Sequence, residues 1–213
     1  MQIGLIADIH GDLAGFQAAL QLLDKTDFIL CAGDIVDRGA DADQIIKIFQ
    51  ERGIKSIKGN HEHSVLHYQE RWRQTDKIEQ LTQLGRIISD ETVAYLQTLP
   101  DTISLNIENT NLLMAHGTPW SDITGIYPDS RQPLINQLVT RCPDRDILIL
   151  GHTHQPMHLI SHHLTILNPG SIYGVTIRDS HSCAMLTLPD RIFTVYDLNT
   201  GNKIEIPLVR REA

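Results

Sequence analysis

The sequence predicts an α/β protein in which two sheets pack face to face with helices outside. Three observations carry that prediction. Residues 2–58 read β-α-β-α-β, the pattern of a largely parallel sheet with right-handed crossovers. Beyond Pro100 the pattern turns to short strands and turns, a mostly antiparallel second half. Between them, residues 62–99 are polar with helical spacing and read as an insertion over the sheet edge. The chain of 213 residues is expected to form one domain, 1–213, with a sizeable core.

The elements follow in order. Residues 2–7 are an apolar strand ending at Asp8-Ile9-His10-Gly11-Asp12. Leu13, Phe16, Ala19, Leu20 and Leu23 then recur at helical spacing. A second strand, 27–32, runs into Gly33-Asp34-Ile35-Val36-Asp37-Arg38-Gly39. The next helix carries Ile45, Ile46, Ile48 and Phe49 and closes at Gly53. Strand 54–58 leads to Gly59-Asn60-His61-Glu62. Asp8, Asp34 and Asn60 are spaced 26 residues apart, one βα unit each, so their side chains belong at one sheet edge.

The insertion is expected as helices 63–73, 77–84 and 91–99. Residues 103–107 and 111–115 flank a polar turn, a hairpin signal, and the second run ends at His116. A proline-containing loop leads to a helix near 134–139. Strand 147–150 ends at Gly151-His152-Thr153-His154. Strands 164–167, 182–188, 191–197 and 203–208 complete the chain, with Asn168-Pro169-Gly170-Ser171 after the first of them.

A net charge of −8 argues against extended nucleic acid or a membrane surface as partner. Cys31, Cys142 and Cys183 are widely spaced and odd in number, so they read as reduced thiols. With no leader-like opening and no apolar run of membrane length, the expected location is cytoplasmic. Eleven histidines are the unusual feature of the composition.

Five strand ends present potential metal ligands: Asp8 and His10; Asp34; Asn60 and His61; His116; His152 and His154. Singly, each reads as a cap, a turn or a structural histidine. Five such ends at one edge read as a site.

The set resembles the calcineurin-like metallophosphoesterase superfamily, whose pattern is D-x-H, G-D-x-x-D-R-G, G-N-H-E/D, H and G-H-x-H. It spans residues 8–154, and Asn168–Ser171 is similar to the small bacterial phosphodiesterases of that superfamily. The resemblance implies a four-layer α-β-β-α sandwich of two mixed sheets with two divalent transition metals between the sheet edges. Asp8, His10 and His154 would hold one metal, Asn60, His116 and His152 the other, with Asp34 bridging. Nitrogen and oxygen donors without thiolate suit Mn, Fe, Zn, Ni or Co, and Mn is favoured. Such a pair would bind a hydroxide that attacks phosphorus.

In that scheme His61 protonates the leaving group, Asp37 orients His61, and Arg38 contacts phosphoryl oxygens. Asp12 reads as a helix cap and Glu62 as a support for the ligands. His63 and His67 read as surface or groove residues, and His158, His162, His163 and His181 as hairpin or loop decoration. Trp72 and Trp120 are divided between core packing and the floor of a cleft. Ile172–Asp179 is longer than the corresponding family loop, so no substrate role is carried over to Arg178. The expected function is a metal-dependent phosphodiesterase or phosphomonoesterase acting on a small phosphorylated or nucleotide-like substrate. A homo-oligomer stays open. A serine/threonine protein phosphatase is the alternative, because G-D-x-x-D-R-G and G-N-H-E are shared with that class. A non-catalytic scaffold of the same fold is more distant, because every ligand position carries its expected residue.

Overall fold

Alternation along a strand sends successive side chains to opposite faces, and here the two faces have different destinations. The computed structural model describes residues 1–211. Its strands are β1 (Gln2–Ile6), β2 (Phe28–Cys31), β3 (Lys55–Ser56), β4 (Thr102–Ile107), β5 (Thr110–Ala115), β6 (Ile147–Ile149), β7 (Pro156–Ser161), β8 (Leu164–Pro169), β9 (Ser182–Thr187), β10 (Ile192–Asp197), β11 (Lys203–Ile204) and β12 (Leu208–Arg211). Its helices are α1 (Leu13–Leu22), α2 (Ala42–Arg52), α3 (Asn60–Trp72), α4 (Ile78–Gln83), α5 (Asp90–Thr98) and α6 (Gln132–Arg141). The first sheet has the order β11-β10-β9-β1-β2-β3, the second β12-β7-β8-β6-β5-β4.

Ile3, Leu5, Leu30, Ala184 and Leu186 of the first sheet meet Leu112, Met114, Ile147, Ile149 and Leu167 of the second in a core between the sheets. The alternate residues Ile6, Cys31 and Cys183 face Phe16, Ala19, Ile45, Phe49, Val65 and Leu96 of α1, α2, α3 and α5. Leu113, Leu148, Leu164 and Ile166 face Ile135 and Leu138 of α6. Three cores between four layers give the expected α-β-β-α sandwich, with the inserted helices α3 and α5 in the outer layer of the first sheet.

Local signals fix the helix ends. Asp12 caps α1 by accepting the Gly15 amide at 2.9 Å, as expected, and Ser89 caps α5 through the Thr92 amide at 3.1 Å. Gly53 ends α2 at φ 63°, where a β-carbon would be strained.

Three details differ from the sequence reading. The run 203–208 is broken: β11 pairs with β10, Pro207 interrupts the ladder, and β12 pairs in parallel with β7 of the other sheet. The second half also contains the parallel pairs β5–β6, joined through α6 as a crossover, and β6–β8, between which β7 runs as the antiparallel neighbour of β8. Strand β7, with His158 on it, escaped the reading.

The rings of Phe16 and Phe49 lie 5.3 Å apart, both fully buried where α1 meets α2 on the first sheet. Replacing Phe16 by alanine is expected to cost about 3–5 kcal/mol of unfolding free energy, measured as a drop in denaturant midpoint at unchanged slope.

Candidate metal centre

The parallel strands β1, β2 and β3 of one sheet and β5, β6 and β8 of the other end at a common edge, and each feeds a loop of the site. Asp8, His10, Asp34, Asp37, Arg38, His152 and His154 all have positive φ, from 50° to 74°. Non-glycine residues there are strained, and the strain is concentrated where side chains must converge.

Backbone pairing holds the loops in place. The amides of Ile9 and His10 donate to the Asp34 carbonyl at 2.8 and 3.0 Å, and Gly151 donates to the His116 carbonyl at 2.8 Å. The fully buried Glu62 carboxylate accepts the amides of Asp34 (2.8 Å), Ile35 (2.7 Å), Val36 (3.1 Å) and Gly59 (2.7 Å). Burial and the neighbouring Asp34 push its pKa up, while the amides of Gly59 and Val36 oppose them. Gly59 lies against the Asp34 carboxylate, where a β-carbon would collide. Asn168 of the N-P-G-S sequence donates to the Gly151 carbonyl at 2.7 Å and so holds the loop bearing both histidines.

All seven residues expected as ligands come together. His10 Nδ1 lies 3.3 Å from the Val36 carbonyl, which assigns that nitrogen the proton and leaves Nε2 with a lone pair. His154 Nδ1 is 2.5 Å from an Asp179 oxygen, so its Nε2 is likewise bare. The two Nε2 atoms face each other at 3.1 Å, with Asp8 Oδ1 3.5 Å from that of His154. On the other side His116 Nδ1 bonds the Ala32 carbonyl at 2.7 Å. Its Nε2 then faces Asn60 Oδ1 and Asp34 Oδ2, each at 3.1 Å, and His152 Nδ1 is 3.0 Å from the same Asn60 oxygen. Asp34 Oδ2 stands between the groups, 3.8 Å from His10 Nε2.

This is a buried excess of acceptors over donors, and it fits cations. Asp8 Oδ2 is buried without a hydrogen-bond partner. Burial raises the Asp8 pKa well above the carboxylate range and lowers that of His10 to about 3. Burial would raise Asp34 too, but His116, His10 and His61 hold it well below the usual range. Burial disfavours a charged His116, yet Asp34 and Asp8 raise its pKa to about 10. In a metal-free site, then, a proton on His116 supplies the positive charge that the acceptors demand.

The residues expected as catalytic lie beside this cluster. His61 Nδ1 is 2.8 Å from Asp37 Oδ2. Burial works against a charged His61, but the bond to Asp37 and the charges of Asp34 and Asp37 raise its pKa above the ordinary histidine value. Arg38 is exposed, stands 5.7 Å over the Tyr173 ring, and makes no ion pair among the described residues. His63 lies on the surface against Asp101 at 3.2 Å, and His67 packs on Tyr68; neither joins the cluster. Trp72 packs against the helical core, whereas Trp120 lines a groove of about 430 Å³ beside His116. The three thiols are buried and free, and burial pushes Cys31 and Cys183 up to about 12.

Sequence reasoning missed Asp179 and Arg86. Asp179 bonds His154, and with Arg38, Arg178, His152 and His154 it lines a cavity of about 480 Å³. The loop that carries Arg178 thus forms one wall beside the histidine cluster. Arg86 donates from Nε to Asp37 Oδ1 at 2.8 Å. Neither residue sits at a strand end, so no spacing marks it.

Residues 1–191 match the model of the calcineurin-like phosphoesterase superfamily domain. An uncharacterized protein of Methanocaldococcus jannaschii is 27% identical over 186 residues, 80% of this chain and 70% of that protein. The metallophosphoesterase from Sphaerobacter thermophilus shares the fold with a TM-score of 0.72 and 21% identity, over 97% of this chain and 90% of that one. The symmetrical bis(5'-nucleosyl)-tetraphosphatase of Wigglesworthia glossinidia brevipalpis is 32% identical over 85 residues, 38% of this chain and 31% of that protein. This chain therefore spans about a third of the tetraphosphatase's length.

Glu62→Ala strands four buried amides and is expected to cost at least about 3 kcal/mol in a denaturant titration. It should also weaken uptake of transition metal in a competition assay, because Asp34 and Asn60 are placed through those amides.

Proposed function

Since the chain belongs to the calcineurin-like phosphoesterase superfamily, we propose that it is a dinuclear, transition-metal-dependent phosphoesterase acting on small phosphorylated or nucleotide-like molecules. The single observation that carries this reading is the buried excess of acceptors, with Asp8 Oδ2 unpartnered and the ring nitrogens of His10 and His154 facing each other at 3.1 Å. Asp8, His10 and His154 would hold one ion and Asn60, His116 and His152 the other, with Asp34 between them. The donor set is nitrogen and oxygen only, which suits Mn, Fe, Zn, Ni or Co, with Mn favoured. Two such ions, when bound, acidify a water and clamp the oxygens of an in-line displacement.

The chain's own groups do the rest. His61 is charged more readily than a free histidine and is held through Nδ1 by Asp37, so its Nε2–H is available to the leaving oxygen. Arg38, exposed and in no ion pair among the described residues, offers its guanidinium fork to phosphoryl oxygens. Asp37, with both oxygens engaged, fixes the orientation of His61 rather than exchanging protons. The catalytic unit is taken as one domain, 1–213, working in the cytoplasm without membrane or extended nucleic acid as partner. The tetraphosphatase relative supports nucleotide-like substrates as the first to try.

Metal content and turnover on a phosphodiester, a phosphomonoester and a phosphopeptide test the proposal together. The purified protein should carry transition metal, lose activity with a chelator and regain it with Mn. Preference for the phosphopeptide would favour a protein phosphatase, and inactivity with metal bound would favour a scaffold. Asp34→Asn should reduce occupancy of both metal positions; retained two-metal binding would exclude bridging. His61→Ala should lower turnover by roughly 10²–10⁴-fold with metal content intact. Loss of metal in that variant would make His61 a ligand, since its ring also falls within reach of His10 and Asp34.

A further inference from the structure

Beyond α3, the inserted helical segment reaches the site through the Arg86 side chain. Gly85, at φ 62°, sits so close to the Gly39 carbonyl that a β-carbon there would collide with it. The next residue, Arg86, is pinned along its backbone: its amide donates to the Leu81 carbonyl at 2.8 Å, and its carbonyl accepts Gln69 Nε2 at 2.9 Å. From that anchor the half-exposed guanidinium lies 5.7 Å over the Trp72 ring, and Nε donates to Asp37 Oδ1 at 2.8 Å. Asp37 is thereby held at both oxygens, Oδ1 by Arg86 and the Arg38 amide at 2.8 Å and Oδ2 by His61 Nδ1 at 2.8 Å.

Asp37 itself has φ 68° and lies in the loop after β2, outside any helix or strand. Without Arg86, Oδ1 would keep the Arg38 amide as its one remaining hydrogen bond among the described residues. The geometry points to Arg86 as a positioning residue for the proposed proton donor: the chain Arg86–Asp37–His61 fixes the imidazole so that Nε2–H meets the leaving oxygen. The insertion is then a working part of the site, and anything that lifts the segment around Arg86 uncouples proton donation without touching a metal ligand. This inference rests on the phosphoesterase reading for its kinetic consequence but not for its geometry.

A leaving-group comparison tests it. The p-nitrophenyl ester of thymidine 5'-phosphate expels a phenolate that needs no proton, whereas the benzyl ester expels an alkoxide that does. With metal-loaded protein, Arg86→Met is expected to lose roughly tenfold or more in kcat on the benzyl ester and less than about twofold on the p-nitrophenyl ester. KM and metal content should stay near wild type, Arg86→Lys should recover part of the loss, and His61→Ala should give the same bias more strongly. Equal losses on both esters, or none, would overturn the role of Arg86. Absence of bias in His61→Ala, or no hydrolysis of either ester by wild type, would instead count against the proposed function. Ring ¹⁵N spectra of the zinc-loaded protein read the geometry without turnover. The protected Nδ1–H of His61 should exchange faster in Arg86→Met, and an unchanged signal would also overturn the inference.

Discussion

One buried carboxylate organises the centre. Glu62 gathers four amides from two segments that follow different strands, so the loop carrying Asp34 and the helix start carrying Asn60 and His61 are placed by the same pair of oxygens. Hydrogen bonds from amides to a charged acceptor are among the stronger ones, and four of them offset the cost of burying Glu62. The arrangement also frees Asp34, whose Oδ1 takes the His61 amide at 2.9 Å while Oδ2 is left to the imidazoles. A side chain outside the imidazole cluster thus decides where the candidate ligands stand.

Much of this was legible because the edge of a parallel sheet imposes regular spacing. Asp8, Asp34 and Asn60 recur once per βα unit, and the apolar runs that precede Asp8 and Asp34 are continuous because both faces of those strands are covered. The histidines of the second sheet were readable for the same reason: His116, His152 and His154 follow buried strands with no helix-like period. Asp12 was readable as a cap from its place just before an amphipathic run.

What stayed hidden depends on contacts between distant segments. Asp179 reaches His154 across 25 residues and Arg86 reaches Asp37 across 49, and nothing in either neighbourhood distinguishes a carboxylate or guanidinium that turns inward from one that is solvated. The break at Pro207 was hidden differently. Residues 203–208 alternate like one strand, and only the position of a second acceptor edge, on β7, shows that the ladder stops and resumes elsewhere.

β1 is completed late in chain order. β1 lies at the centre of its sheet, with β2 on one side and β9 on the other. β2 follows after one helix, but residues 182–187 come only after β3 to β8. At ordinary rates of 5–20 residues per second that is on the order of ten seconds or more, during which one flank of Ile3-Gly4-Leu5 is an open, apolar edge. The topology that seals the finished core therefore leaves β1 with an unpaired, aggregation-prone flank until β9 is made.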